Sequence, residues 1–488
     1  MALLSSIAFS TAALLSAGFQ QDPEQALQAF VTAPALGGAR VGVLVRDTAD
    51  GRVICAHDAD RGFMTASNMK LVSSATALLT LGPDFRYRTT LVATGPVVDG
   101  VLEGDLVLVG SGDPTFGGRT EQDAFDVLRR MVARAVADHG LRSIRGDVLG
   151  DDDCHPDEVM GEGWAWNYQG DAYAAQVSGL CFAENIARVT VTPAGGQGGA
   201  PAVTIEPPLP GFFAIENLAT TVAAGPRPTL SAIRLRATNR VRVRGAVPEG
   251  AGPWSTRISV EDPTRFAARA LHHALAEAGV EVAGQALDRD DRPARPERYG
   301  DERILANHES EPLSAILVTL NKVSQNLYAE QVIRTASRVA LGDASMGSAS
   351  AHAKAALAAI GVDPDGMRIA DGSGLTRLDL VRPQHFVDLL AGMWGHEHRD
   401  TFLATLPVAG VDGTIGRRFA DTAASGRVLA KTGTISAVAA LSGYVLRKDP
   451  EAPPLCFSVL INNFTCRSAD AREAMDRFVV SLVESLDR

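Results

Sequence analysis

The sequence predicts a mixed α/β (α+β) fold in which a core of strands and packed helices is interrupted by a large β-rich insert. Three observations point there. Short alternating strands, separated by glycine and proline clusters, fill residues 87–298. Helical periodicity returns over residues 312–341 and recurs at 348–360 and 383–393. Two apolar runs, 441–446 and 457–462, then read as strands ahead of a last helix. A chain of 488 residues also exceeds what one compact core accommodates, so two or more domains are expected.

Taken in chain order, residues 1–18 form an apolar run ending in Ser16-Ala17-Gly18, followed by polar Gln20-Gln21-Asp22. This pattern reads as a secretory signal peptide cleaved near Gly18, which would place the mature protein in the periplasm. No Lys or Arg precedes the run, so a mis-called start codon or an ordinary buried helix are the alternatives. No other segment reaches the ~20 apolar residues of a membrane span, so no stable membrane anchor is expected. Residues 41–45 and 53–55 flank a polar turn at 47–51 and read as strand, turn and strand. The alanine-rich run 71–79 reads as a buried helix, which puts Ser67 at or just inside a helix N-terminus with its own N–H free for a ligand oxygen.

The expected organisation is a discontinuous core domain, 19–86 and 302–488, enclosing an insert over 87–301 built as two nested domains. A charged, proline-bearing stretch at 288–296 suits a linker. The final helix, 470–486, carries an apolar stripe at Met475, Phe478, Val479, Leu482 and Leu486; it lacks a basic face, so it packs on a sheet and not on a membrane.

Net charge of −11 and the lack of a basic patch argue against nucleic-acid binding. The five cysteines, Cys55, Cys154, Cys181, Cys456 and Cys466, show no CxxC spacing that would suggest zinc or redox chemistry. Export would allow Cys154 and Cys181 to pair, which the sequence does not decide. Burial as a structural thiol is the expectation for Cys55 and Cys456. Neither a metal nor a cofactor is expected. His155, His272, His273 and His385 lack metal-type spacing and read as surface or capping residues.

Lysine usage narrows the chemistry. Only five of the 46 basic residues are lysines: Lys70, Lys322, Lys354, Lys431 and Lys448. Arginine stays protonated, whereas a buried lysine can lose its proton and act as a base. Two of the five sit in short patterns, Ser67-Asn68-Met69-Lys70 and Lys431-Thr432-Gly433-Thr434. On a helix, i and i+3 share a face, so Lys70 can reach the Ser67 hydroxyl. A serine is a weak nucleophile until a neighbour takes its proton, and lysine does so only when burial or a second cation lowers its pKa. Lys431 is a candidate for that second charge. A third pattern, Ser324-Gln325-Asn326, lies between them. The Lys431 segment reads as a strand whose edge can take an extended peptide as one more strand, with Gly433 allowing close approach of the ligand.

Each pattern alone is weak, and helix caps or solvated side chains account for most such matches. In this order the three form the set found in β-lactamases and penicillin-binding proteins. The chain resembles the D-alanyl-D-alanine carboxypeptidase/endopeptidase family, the low-molecular-mass class C penicillin-binding proteins. Gly112-Asp113-Pro114, Asp371-Gly372-Ser373-Gly374-Leu375-Thr376-Arg377 and the 406–414 segment add to the resemblance, as does the long insert between the first two motifs.

The resemblance implies a penicillin-binding-protein transpeptidase/β-lactamase-like catalytic domain with a central antiparallel sheet flanked by helices. It implies Ser67 as acylated nucleophile, Lys70 as general base, Ser324 as proton relay and Asn326 as a contact to the substrate amide and to Lys70. Lys431 and Thr432 would bind the terminal carboxylate, and the N–H groups of Ser67 and Thr434 would form the oxyanion hole. Asp152 and Arg377 would grip the peptide side chain. The implied partners are peptidoglycan peptides and β-lactam antibiotics, and a homodimer stays open as an oligomeric state. Two departures stand out: Gln325 replaces the usual Asp, and Asp153-Cys154-His155 replaces a Ser and aromatic pair. The alternatives are a β-lactamase or esterase using the same site, or a non-hydrolytic penicillin-binding scaffold.

Overall fold

The computed structural model describes residues 22–292, 300, 303–449 and 451–487. The signal-like segment, 1–18, and the second part of the expected linker, 293–296, lie outside the described residues.

A five-stranded antiparallel sheet organises the core. Its strand order is Val428–Ile435, Val438–Val445, Leu455–Asn462, Arg40–Asp47, Val53–His57. Side chains alternate across it with the period of two that strand geometry demands. Val43, Val45, Leu441, Val459 and Ile461 face one hydrophobic cluster, while Leu44, Ala440 and Leu460 face another. The first cluster is closed by two helices from opposite chain ends, Pro23–Val31 and Ser468–Ser485, whose Phe30 and Phe478 rings stack at 5.3 Å. The expected stripe of the last helix is the buried one: Met475, Phe478, Val479 and Leu482. The second cluster is closed by the helices Met69–Leu81, Leu313–Lys322, Asn326–Leu341, Met346–Ala358 and Pro383–Trp394.

The insert is β-rich, but it also holds two amphipathic helices, Asp126–His139 and Pro263–Glu277, each turning an apolar face into one continuous cluster from Leu91 to Ala306. Its main sheet pairs Ala286–Asp288, Val148–Asp151, Leu106–Val109, Arg88–Ala93 and Ile304–Glu309. By this pairing the strand Ile304–Glu309 belongs to the insert sheet, beyond the boundary expected at 301. The strands leaving and re-entering the core, Arg88–Ala93 and Ile304–Glu309, pair antiparallel with each other, which turnover in sequence texture alone does not reveal. The charged stretch is ordered at its start: Arg289 is buried and ion-paired with Asp151 and Asp153.

No described helix is long and apolar enough to cross a membrane. All five cysteines are free thiols, and Cys154 and Cys181 are not bridged.

Candidate active site

The site begins at a strained turn. Ala66 to Asn68 form a single 3-10 turn that feeds the helix Met69–Leu81, and Ala66 carries a φ of 44°. A non-glycine residue there costs about 1 kcal/mol and persists only where neighbours enforce it. The neighbours are visible. A Cβ on Gly374 would stand 1.7 Å from Ala66 O, and one on Gly433 would stand 2.7 Å from Thr65 O. The loop 371–377 and the edge strand Val428–Ile435 therefore press directly on the Ser67 turn, and both positions need glycine for that contact. The missing side chain of Gly433 admits the Ser67 turn against the edge strand.

The helix after Ser67 is buried on all sides from Met69 to Leu78, Lys70 included. Lys70 Nζ lies 2.9 Å from Ser67 Oγ, 2.6 Å from Asn326 Oδ1 and 2.7 Å from Ser373 O. The last two are carbonyl oxygens that only accept. A neutral amine has two N–H bonds to give them and keeps its lone pair for the Ser67 hydroxyl, which is the arrangement a general base requires. Burial holds the Lys70 pKa down at about 7, against the pull of the Asp371, Glu330 and Asp379 carboxyl groups, which acts in the opposite sense. Desolvation, not a second cation, is thus the main cause; the repulsion between the two lysines is felt chiefly at Lys431, which burial and Lys70 together push well below its ordinary value.

The helical stretch predicted over 312–341 is broken into Leu313–Lys322 and Asn326–Leu341. Ser324 sits in the break with φ 64°, a left-handed conformation that no helix interior contains. This kink turns its hydroxyl to Lys431, with Nζ 2.9 Å from Ser324 Oγ. Gln325 caps the new helix by accepting from Leu327 N–H at 3.1 Å, and its amide Nε2 donates to Glu184 Oε2 at 2.7 Å. Asn326 Nδ2 donates to the Tyr173 carbonyl at 2.6 Å, which fixes its Oδ1 toward Lys70. Two insert residues thus hold the second motif.

Val428–Ile435 is the edge strand of the core sheet. Its start already pairs with residues 407–409, Ala430 N–H donating to Pro407 O at 3.0 Å and Val428 O accepting from Ala409 N–H at 2.9 Å, which leaves the outer edge beyond Lys431 for an added strand. Lys431 is fully buried on it, and its Nζ also donates to Thr432 O at 2.8 Å. Thr432 Oγ1 meets Thr414 Oγ1 at 2.8 Å, and Thr434 is exposed next to the Ser67 turn.

The loop 371–377 closes the far side. Asp371 accepts from the N–H groups of Ser373, Gly374 and Thr376 and from Trp164 Nε1 of the insert at 2.8 Å. Arg377 reaches Ser436 O and Met64 Sδ, so it sits at the rim between the edge strand and the Ser67 turn. Asp152 is placed differently: its Oδ2 accepts from Ser178 and Thr264 hydroxyls at 2.9 and 2.6 Å within the insert, and none of its contacts reaches the Ser67 cluster. Asp152 on the insert and Arg377 at the rim thus lie in separate surroundings, each with its own partners.

His155, expected at the surface, is buried, and burial beside Arg334 and Arg338 lowers its pKa to about 3. His385 is a cap, accepting from Arg382 N–H at 3.2 Å.

Sequence reasoning did not single out Tyr173, Glu184 or Glu330. Tyr173 acts through its backbone and Glu184 across a long sequence gap, so neither leaves a local signal. Glu330 did leave one: an acid four residues after Asn326 on the apolar face of an amphipathic helix.

Comparison with known proteins agrees with this geometry. The family model described as D-Ala-D-Ala carboxypeptidase 3 (S13) matches residues 24–484. The chain is 36% identical over 448 residues to a D-alanyl-D-alanine carboxypeptidase of Actinomadura sp. (strain R39), covering 89% of this chain and 80% of that one. Penicillin binding protein 4 (dacB) from Haemophilus influenzae has the same fold, with a TM-score of 0.79 at 23% identity, covering 94% of this chain and 99% of the other. A second structure of that protein, complexed with a β-lactam, superposes with a TM-score of 0.74 at 22% identity and the same coverage. With a serine, two buried lysines and an asparagine gathered on one sheet edge, and a family match over nearly its whole length, the chain belongs to the D-Ala-D-Ala carboxypeptidase 3 (S13) family of serine peptidases.

Proposed function

We propose that Ser67 is acylated by the carbonyl of a D-Ala-D-Ala-type bond in peptidoglycan stem peptides, and that the ester is then hydrolysed. The substrate lies antiparallel along Val428–Ile435. As Ser67 Oγ bonds to the carbonyl carbon, its proton passes to neutral Lys70. The oxygen that gains charge is held by the N–H groups of Ser67 and Thr434, donors typically worth ~3 kcal/mol of barrier each. As the C–N bond breaks, the proton that Lys70 took from Ser67 passes through Ser324, which Lys431 holds, to the leaving amine, and Lys70 is neutral again. Water then attacks the ester as Lys70 takes one of its protons, the ester C–O bond breaks, and Lys70 passes that proton to Ser67 Oγ, restoring the hydroxyl and the neutral amine.

Lys431, Thr432 and Thr414 lie where the terminal carboxylate of the peptide arrives. A carboxylate there favours the charged form of Lys431, which otherwise meets the neutral oxygens Ser324 Oγ and Thr432 O. Arg377 at the rim faces the upstream part of the stem. A β-lactam, which presents the same carbonyl and carboxylate, acylates Ser67 and leaves slowly. The signal-like N-terminus supports action in the periplasm, where this substrate is found.

The observation that carries the reading is the three-way coordination of Lys70 by one hydroxyl and two obligate acceptors. Purified protein should release free D-alanine from a D-Ala-D-Ala-terminated pentapeptide, and Ser67→Ala should not. Digestion of sacculi would separate carboxypeptidase from endopeptidase products. Absence of both products from a folded protein would overturn the reading.

A further inference from the structure

A buried group of acids stands behind Lys70, and the reaction as described does not use it. Glu330, Asp371 and Asp379 are each fully buried. Glu330 lies one turn beyond Asn326 on the same helix, so the two project from one face. Glu330 Oε1 accepts from Gly372 N–H at 3.0 Å and Ser373 N–H at 2.9 Å. The carbonyl of that same Ser373 receives a Lys70 N–H at 2.7 Å. The chain of contacts therefore runs from Glu330 through one peptide segment to the base, while Asn326 holds the base from the other side. Glu330 Oε2 has no hydrogen-bond partner and is buried. All of the positioning runs through one oxygen, and the second leaves room for a proton or a charge.

We propose that Glu330 is the positioning residue for Lys70: it fixes the Ser373 carbonyl that orients the amine, and its carboxyl charge sets the pH at which the amine becomes a base. The proposal rests on Lys70 being the general base. The ionisable groups facing Lys70 are Glu330 from the helix Asn326–Leu341, with Arg334 behind it; Asp371 and Asp379 from the loop after the helix Met346–Ala358; and Lys431 from the edge strand. Burial, and then Asp371, push the Glu330 pKa up to about 7, into the range to which burial lowers Lys70, so the two groups change protonation over the same pH range. A negative Glu330 favours the ammonium form of Lys70, so removing its charge favours the free amine at lower pH.

Glu330→Gln separates charge from geometry, because the amide oxygen can still accept both N–H bonds while the NH2 takes the place of the unpartnered Oε2. The rate of Ser67 acylation by a β-lactam is measured from pH 5 to 9 for wild type and variant. The expected result is an acid limb moved about one pH unit lower in Glu330→Gln, with the plateau rate kept within a few-fold. An unmoved limb, or a rate lowered equally at every pH, overturns the proposal and reduces Glu330 to a structural role. Failure of the wild type to acylate at all would instead overturn the underlying base assignment, so the two failures are distinguishable. Should the variant not fold, infrared difference spectra of the wild type decide. A buried protonated-carboxyl band that titrates together with the acid limb supports the proposal, and its absence overturns it.

Discussion

Replacing Glu184 with alanine should disable the second motif from across the insert interface. Glu184 is 3% exposed and binds the Arg119 guanidinium through both oxygens, with Nη2 at 2.6 Å. It also accepts from Gln325 Nε2 at 2.7 Å and from Tyr328 OH at 3.3 Å. Removing one partner of a buried ion pair costs about 3–5 kcal/mol. The Arg119 side chain is 30% exposed and can rehydrate, which favours the lower end. Loss of the Gln325 bond adds about 1 kcal/mol. Partly offsetting this, Ala183, Glu184 and Asn185 all have positive φ, of 50°, 59° and 54°, and their strain of about 1 kcal/mol each is released if the turn relaxes. The net expectation is a destabilisation of about 2–3 kcal/mol. Once Gln325 is untethered, Ser324 is no longer held at φ 64°, and a misplacement of about 1 Å at a reacting group can cost a hundredfold in rate. The assays are the urea midpoint of unfolding and the second-order rate of β-lactam acylation. A Glu184→Ala protein that unfolds at the wild-type urea concentration and acylates at the wild-type rate would refute the coupling.

Gln325→Asp should set a carboxylate against Glu184 and slow acylation by about tenfold or more, read with the same β-lactam; a neutral effect would show that the amide donor is dispensable. Gly433→Ala should push the edge strand off Thr65, lowering acylation far more than it lowers the urea midpoint, because the clash falls on the nucleophile turn. Lys431→Met should raise KM for a carboxylate-terminated peptide while barely changing it for the corresponding amide, and equal effects on both would remove Lys431 from carboxylate binding. Acylation of the wild type should fall about tenfold for each pH unit below about 7, because only the neutral form of Lys70 accepts the proton and its pKa is held near there.

The candidate site was legible because each motif is local: the i, i+3 spacing brings Ser67 and Lys70 together across the 3-10 turn and the start of the helix that follows, and Lys431 to Thr434 lie on one strand. The central strands were legible as the apolar runs 441–446 and 457–462, because both faces of the sheet are covered there. Features that depend on tertiary contact were not. The break at Ser324 is imposed by Lys431 and by the Gln325–Glu184 bond, so helical periodicity runs straight through it. The role of Gly433 depends on Thr65, far away in the chain, and the placement of Asp152 depends on Ser178 and Thr264. Pairing of Ile304–Glu309 with Arg88–Ala93 likewise closes over a gap that no window on the sequence spans.

The most direct test of the central claim is intact-protein mass spectrometry with peptide mapping after exposure to a β-lactam. A single adduct on Ser67, absent from Ser67→Ala and much slower to form in Lys70→Ala, is the predicted result. An adduct on another residue, or undiminished labelling of the Ser67→Ala protein, would contradict it.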